Sequence, residues 1–126
     1  MSGNFREVFG LDDQDDGTYH AWRNCQQGST MYLNLVPAKG SGEKIWYIPY
    51  LQAISIELNA EGTMLCLMCH STNMTIFIEG QGLDELAKQV SEKRAKSVHV
   101  FDAEEYPQKR NSAAVVTKIT VEPRSV

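Results

Sequence analysis

The sequence predicts a strand-rich α+β domain: a mostly antiparallel curled sheet or partly open barrel, with one amphipathic helix that crosses over between strands. Two observations support this prediction. From residue 18 onward, short segments rich in apolar and β-branched residues alternate with turn residues, as in an antiparallel meander. Only one segment, at about residues 83–94, changes to the 3.6-residue period of a helix. Curling is expected because flat sheets of many strands are unusual.

Eight segments have the length and composition of strands, and most are separated by short turns rich in Gly, Pro and Asn. They are Thr18–Asn24, Met31–Val36, Lys44–Tyr50, Ala53–Leu58, Thr63–His70, Met74–Glu79, Ser97–Phe101 and Ala114–Glu122. Thr63–His70 carries apolar side chains on both of its faces, which predicts a central strand. In the last strand, strict alternation would place Val115, Thr117, Ile119 and Val121 on one face.

The helix prediction rests on a stripe of Leu83, Leu86, Ala87 and Val90, which recur at helical spacing. Acidic residues come first in this segment and basic residues last, as the helix macrodipole favours. Because the helix is followed by the strand at Ser97–Phe101, we expect it to connect two strands as a crossover.

The length of 126 residues fits a single domain spanning 1–126. Residues 1–17 form a polar, acidic lead, and the polar stretch 102–112 is expected to be a mobile loop. Hydrophobic residues make up 42% of the chain and charged residues 22%, which is typical of an ordinary globular domain.

The net charge of −4 argues against general binding to nucleic acid or to an anionic membrane, because both depend on concentrated Lys and Arg. No segment has the pattern of a signal peptide or a transmembrane helix. The three cysteines, an odd number, fit reduced thiols better than a disulfide framework. These features predict a cytoplasmic protein.

The stretch LCLMCH contains C-x-x-C-H, a spacing found in haem attachment sites and, without the histidine, in many zinc and thiol-redox sites. In a strand, however, Cys66 and Cys69 would point to opposite faces, about 10 Å apart along the chain. We therefore expect core cysteines and no cofactor. A zinc site that combines these cysteines with His20 and Cys25, or a thiol-redox site, is retained as a third candidate function.

Catalysis finds little support in the sequence. It contains no nucleophile elbow, and adjacent Cys69 and His70 would face apart on a strand. His99 alternates with valines and is expected on a solvated face. An enzyme is therefore the less favoured class.

Aromatic residues crowd the first half of the chain. In the strand Lys44–Tyr50, Trp46 and Tyr50 share a face with Ile48, while Tyr47 points the other way. We predict a small non-catalytic domain that associates with a second copy of itself or with another protein through Trp46, Tyr47 and Tyr50, with Trp22 in support. The alternative is a small apolar or aromatic ligand, bound in an aromatic-lined pocket of the barrel or roll.

Overall fold

The computed structural model describes residues 19–51, 54–105 and 114–123. Each predicted strand and the helix are present, with slightly different bounds, and the strand-rich α+β class is confirmed. The elements are β1 (Trp22–Asn24), β2 (Tyr32–Val36), β3 (Trp46–Pro49), β4 (Ile54–Leu58), β5 (Met64–Cys69), β6 (Met74–Gln81), α1 (Asp84–Ser91), β7 (Ala95–His99) and β8 (Val115–Pro123). The acidic lead 1–17 and residues 106–112 of the predicted loop lie outside the described residues.

The strands form two four-stranded sheets, which do not close into a barrel within the described ranges. The first sheet has the order β1-β7-β2-β3 and the second has the order β4-β5-β6-β8. All neighbouring strands are antiparallel except β2 and β7. The predicted crossover is present, and it leads from β6 of the second sheet to β7 of the first.

The hydrophobic core contains side chains from both sheets. Along β5 the pattern of burial alternates, and the buried Leu65 and Leu67 lie opposite Ile78 and Ile76 of β6. β5 lies between β4 and β6, in the central position that its two apolar faces predicted. The first sheet contributes side chains that are also buried, namely Leu33, Leu35, Ile48 and Val98.

The helix α1 packs against β4 and β7. Its buried residues, Leu86 and Val90, belong to the predicted apolar stripe. The amide of Asn24 in β1 donates to the side-chain oxygen of Gln89, at 3.1 Å. α1 therefore contacts both sheets near their β1 and β4 edges, away from the β3 and β8 edges. No helix in the described ranges is long and apolar enough to cross a membrane.

A β-bulge interrupts the last strand. Gly80 of β6 pairs with Val116, whereas the preceding Glu79 pairs with Lys118, so Thr117 is an extra residue in β8. A side chain at Gly80 would collide with the carbonyl oxygen of Val115, which explains the glycine. The prediction of one unbroken alternation from residue 115 was wrong: Val116 is buried and Thr117 is exposed.

Tyr19 connects the two sheets through its hydroxyl group. This group donates to the carbonyl oxygen of His99 in β7 at 2.6 Å and accepts from the N–H of Val116 in β8 at 2.9 Å. The ring is fully buried and packs edge-on against Phe101, with centroids 5.0 Å apart. The hydroxyl thus supplies one hydrogen bond to each of these two backbone groups.

We expect Tyr19→Phe to lower the free energy of unfolding by about 2–4 kcal/mol, because two buried backbone groups lose their partner. Tyr50→Phe is the matched control. The buried Tyr50 hydroxyl donates to the carbonyl oxygen of Ala95, at 2.7 Å, its one hydrogen bond among the described residues, so its loss should cost about 1–2 kcal/mol. Urea denaturation of both variants measures the difference, and equal losses would contradict the bridging role of Tyr19.

Candidate functional site

Exposed hydrophobic side chains are concentrated on the hairpin formed by β2 and β3. Within the described part of the chain, all the large hydrophobic residues that are exposed belong to these strands or directly flank them. They are Met31, Tyr32, Ile45, Tyr47 and Leu51, which together we name the hairpin face. Tyr47 is 60% exposed and Leu51 is 82% exposed.

The register of the hairpin brings the two tyrosines close together. Tyr32 pairs with Pro49 and Tyr47 pairs with Asn34, so the tyrosines occupy a diagonal position on one side of the sheet. Diagonal side chains of this size can touch across an antiparallel pair. Met31 and Leu51 lie at one end of the pair of strands and Ile45 lies at the other. Tyr32 and Tyr47 therefore lie on the outer side of the first sheet at its β3 edge, whereas Met31, which is opposite the buried Tyr50 in the same register, is exposed at the end of the hairpin.

The predicted alternation of aromatic residues in β3 is confirmed, with Tyr47 pointing outward and Ile48 and Tyr50 pointing into the core. Tyr50 is only 3% exposed, and burial raises the pKa of its hydroxyl above the usual range, with a smaller contribution from Cys25. Tyr50 therefore belongs to the core, and we leave it out of the contact surface. Trp22, in β1, is half-buried against the core.

Trp46 borders a groove of about 510 Å³ that lies between the edge strands β3 and β8. Leu35, Ile119 and Val121 supply apolar lining to this groove. The ammonium group of Lys44 lies 4.8 Å from the centre of the Trp46 ring, a cation–π contact. The volume is in the range of small-molecule pockets. The sequence predicted an aromatic residue in such a pocket, but gave no indication that the pocket would be bounded by two sheet edges.

The C-x-x-C-H stretch forms strand β5 and its exit. Cys66 points outward between Glu57 and Phe77, while Cys69 is fully buried on the opposite face. Burial raises the pKa of the Cys66 thiol, and the neighbouring Glu57 raises it further. A raised pKa disfavours the reactive thiolate form. His70 lies beyond the strand, with its Nε2 atom 2.7 Å from the hydroxyl of Ser55.

The other candidate metal ligands lie elsewhere. The Cys25 thiol donates to the carbonyl oxygen of Gly28, at 3.2 Å, in the loop after β1. His20 precedes β1, and its Nε2 atom is buried and has no hydrogen-bond partner among the described residues. In residues 19–51, 54–105 and 114–123, no three His, Cys, Asp or Glu side chains come together in a group that could hold a metal ion. The structure does not assemble the four predicted ligands.

A polar cluster on the outer side of the first sheet was not predicted. Arg23 and Asn34 both pair with Ser97 from the neighbouring strands, and the hydroxyl of Ser97 lies 2.8 Å from Nε2 of His99. Burial, with smaller contributions from the charges of Arg23 and His20, lowers the pKa of His99 to about 4. The expectation that His99 would be solvated was wrong. With so low a pKa, this imidazole is a weak general base.

We expect the titration of His99 to lower the free energy of unfolding by about 3 kcal/mol as the pH drops from about 6.5 to about 4. In this window the unfolded chain takes up a proton on His99 that the folded chain does not, and the full stability is present above about pH 6.5. Urea denaturation at several pH values measures the loss. His99→Gln keeps a hydrogen-bonding side chain without this titration, so its pH slope in the window should be shallower; identical slopes would contradict the assignment.

The two cysteines of β5 should respond differently to substitution. Cys69→Ser places a hydroxyl in a fully buried apolar position and should cost about 1–3 kcal/mol of unfolding free energy. Cys66→Ser, on the half-buried outer face, should cost less than about 1 kcal/mol. Thermal or urea denaturation compares them. Equal losses, together with destabilisation by a metal chelator, would instead indicate a shared metal site.

Comparisons with protein families, curated proteins and solved structures find no match for this chain. Three surface features are candidate functional sites: the hairpin face, the groove beside Trp46 and the outer face of β5. Of these, the hairpin face is the one with large hydrophobic side chains exposed to solvent.

Proposed function

We propose that this protein is a small non-catalytic domain that works by associating with protein, either a second copy of itself or another chain, through the hairpin face. The observation that carries the proposal is the concentration of exposed large hydrophobic side chains on β2, β3 and their flanks. Scattered exposed hydrophobics are normal, but a contiguous patch is typical of an association surface.

The chemistry of the patch also favours protein association. Tyr32 and Tyr47 offer large rigid rings that bury much area at low entropic cost, and each keeps a hydroxyl for the wetter rim of a contact. Met31 adds a flexible side chain that adapts to different partner shapes. β3 is an edge strand, so a partner can approach the patch without crossing another strand of the first sheet.

A cytoplasmic location is part of the proposal. All three cysteines, Cys25, Cys66 and Cys69, are free thiols, as expected in a reducing compartment. A zinc or thiol-redox role at β5 is disfavoured, because the two faces of the strand separate Cys66 from Cys69. A small ligand in the groove beside Trp46 stays the second candidate, supported by the volume of the groove and its aromatic wall.

Site-specific photocrosslinking tests the hairpin face. A benzophenone amino acid at position 47 should give a discrete adduct in an extract of the source cells, and the mass of the adduct distinguishes a second copy from another protein. Tyr32→Ser combined with Met31→Ser should reduce the adduct at least about fivefold, because the contact loses apolar area.

The matched control carries the same crosslinker at position 92, an exposed residue just after α1. Circular dichroism of each variant verifies that the fold is retained. If positions 47 and 92 give the same diffuse products, or if the double serine variant leaves the adduct unchanged, the hairpin face is not the association surface.

A further inference from the structure

Among the described strands, β8 is an edge strand of the second sheet, and the direction of its backbone groups follows from the hydrogen bonds of β6. The N–H of Gly80 donates to the carbonyl oxygen of Thr63, at 2.9 Å, on the β5 side. Backbone groups alternate in direction along a strand, so Phe77 and Glu79 direct theirs toward β8.

Phe77 and Glu79 pair with Thr120 and Lys118, whose backbone groups therefore point back to β6. The intervening Ile119, and Val121 after Thr120, direct their N–H and C=O groups away from β6, toward the free edge. Within the described residues, no strand lies on that side of β8. Unpaired edges of this kind are templates for the addition of another strand.

Only part of this edge is open. The N–H of Val116 donates to the Tyr19 hydroxyl, and its carbonyl oxygen accepts from the N–H of Phe101 at 2.8 Å. The backbone groups at the start of the β8 edge are therefore already hydrogen-bonded within the protein. Pro123, at the other end, has no N–H to offer. An added strand can therefore pair with the short stretch centred on Thr120.

If a second copy is related by a two-fold axis at Thr120, each charged side chain of this stretch faces an opposite charge on the other copy. Lys118 and Glu122 are both exposed, two residues to either side of Thr120. Neither has an ion-pair partner in the described part of the chain. If two copies of β8 lie antiparallel with Thr120 opposite Thr120, Lys118 of each copy faces Glu122 of the other. Opposite charges in directly facing positions stabilise an antiparallel pair.

We propose that two copies of this chain pair through β8, antiparallel about Thr120, and join their second sheets into one eight-stranded sheet. In this register Ile119 of one copy exchanges backbone hydrogen bonds with Val121 of the other. The side chains of Ile119 and Val121 lie on the core side, so those of the second copy enter the groove beside Trp46. The contact is isologous, as in most homodimers.

This pairing uses a different surface from the hairpin face, so it goes beyond the proposed function and does not depend on it. The two are distinguished by one variant. Tyr47→Ser removes an exposed ring of the hairpin face, and the β8 dimer should form with an unchanged dissociation constant. The hairpin-face proposal and the β8 proposal can therefore be refuted independently of each other.

A charge exchange tests the pairing, with sedimentation equilibrium and native mass spectrometry as readouts. Lys118→Glu alone and Glu122→Lys alone each place like charges opposite one another twice, and should raise the dimer dissociation constant about tenfold or more. The double variant restores both attractive pairs and should dimerise as the wild type does. An equimolar mixture of the two single variants should form a heterodimer, because every facing pair in it is again opposite in charge.

Ile119→Pro gives a second test that does not depend on charge. Its N–H points to the free edge, so proline there removes a donor for the second copy while leaving the hydrogen bonds to β6 in place. Circular dichroism verifies the fold, and the dimer should be lost. Val115→Ala, at the closed start of the strand, is the control and should leave dimerisation unchanged.

Three results would overturn the proposal. The first is a wild-type chain that stays monomeric up to about 1 mM. The second is a mixture of single-charge variants that associates no better than either variant alone. The third is a small molecule retained by the monomer and lost with Trp46→Ala, which would assign the groove to a ligand and not to a second copy.

Discussion

The hydroxyl of Tyr19 is the interaction on which the arrangement of the two sheets depends. It is held between a carbonyl oxygen of β7 and an N–H of β8, strands that belong to different sheets, and Tyr19 itself is 80 and 97 residues away from these two partners in the sequence. Among the described strands, no pairing connects the first sheet to the second. Apolar packing resists separation of the sheets but is non-directional. The hydrogen bonds of Tyr19, together with the one from the Phe101 N–H to the carbonyl oxygen of Val116, are directional and hold the start of β8 against the first sheet.

Much of the fold could be predicted because its signals are local. The alternation in Ile54–Leu58 and the helical stripe containing Leu86 and Val90 are readable within one window of sequence, and both elements form as expected. The division of the strands into two sheets, and the parallel pairing of β2 with β7, depend on contacts between residues about sixty positions apart. No local period encodes such contacts, which is why the sequence predicted a curled sheet but not how its strands divide.

The candidate site was likewise predictable where it depends on one strand and unpredictable where it depends on distant neighbours. Alternation in β3 correctly assigned Tyr47 to the outer face, because that depends on the strand alone. Whether the inner aromatics would be exposed depends on what covers them, and Tyr50 is covered by the core while Trp46 borders an open groove. His99 was misjudged for the same reason. Its alternation with valines places it on the outer face, but its burial there, and the nearby charges of Arg23 and His20, depend on residues distant in sequence.

Thr117, the extra residue of the bulge, shifts the alternation of core-facing and outward-facing side chains by one position in the rest of β8. Before it, even-numbered positions face the core, as Val116 does; after it, odd-numbered positions do. Strict alternation from Val116 without the bulge would turn Lys118 and Glu122 inward and expose Ile119 and Val121. With Thr117 as the extra residue, the two charged side chains face solvent and the two apolar ones face the core. A single backbone irregularity therefore decides whether this sheet edge presents a charged or an apolar surface.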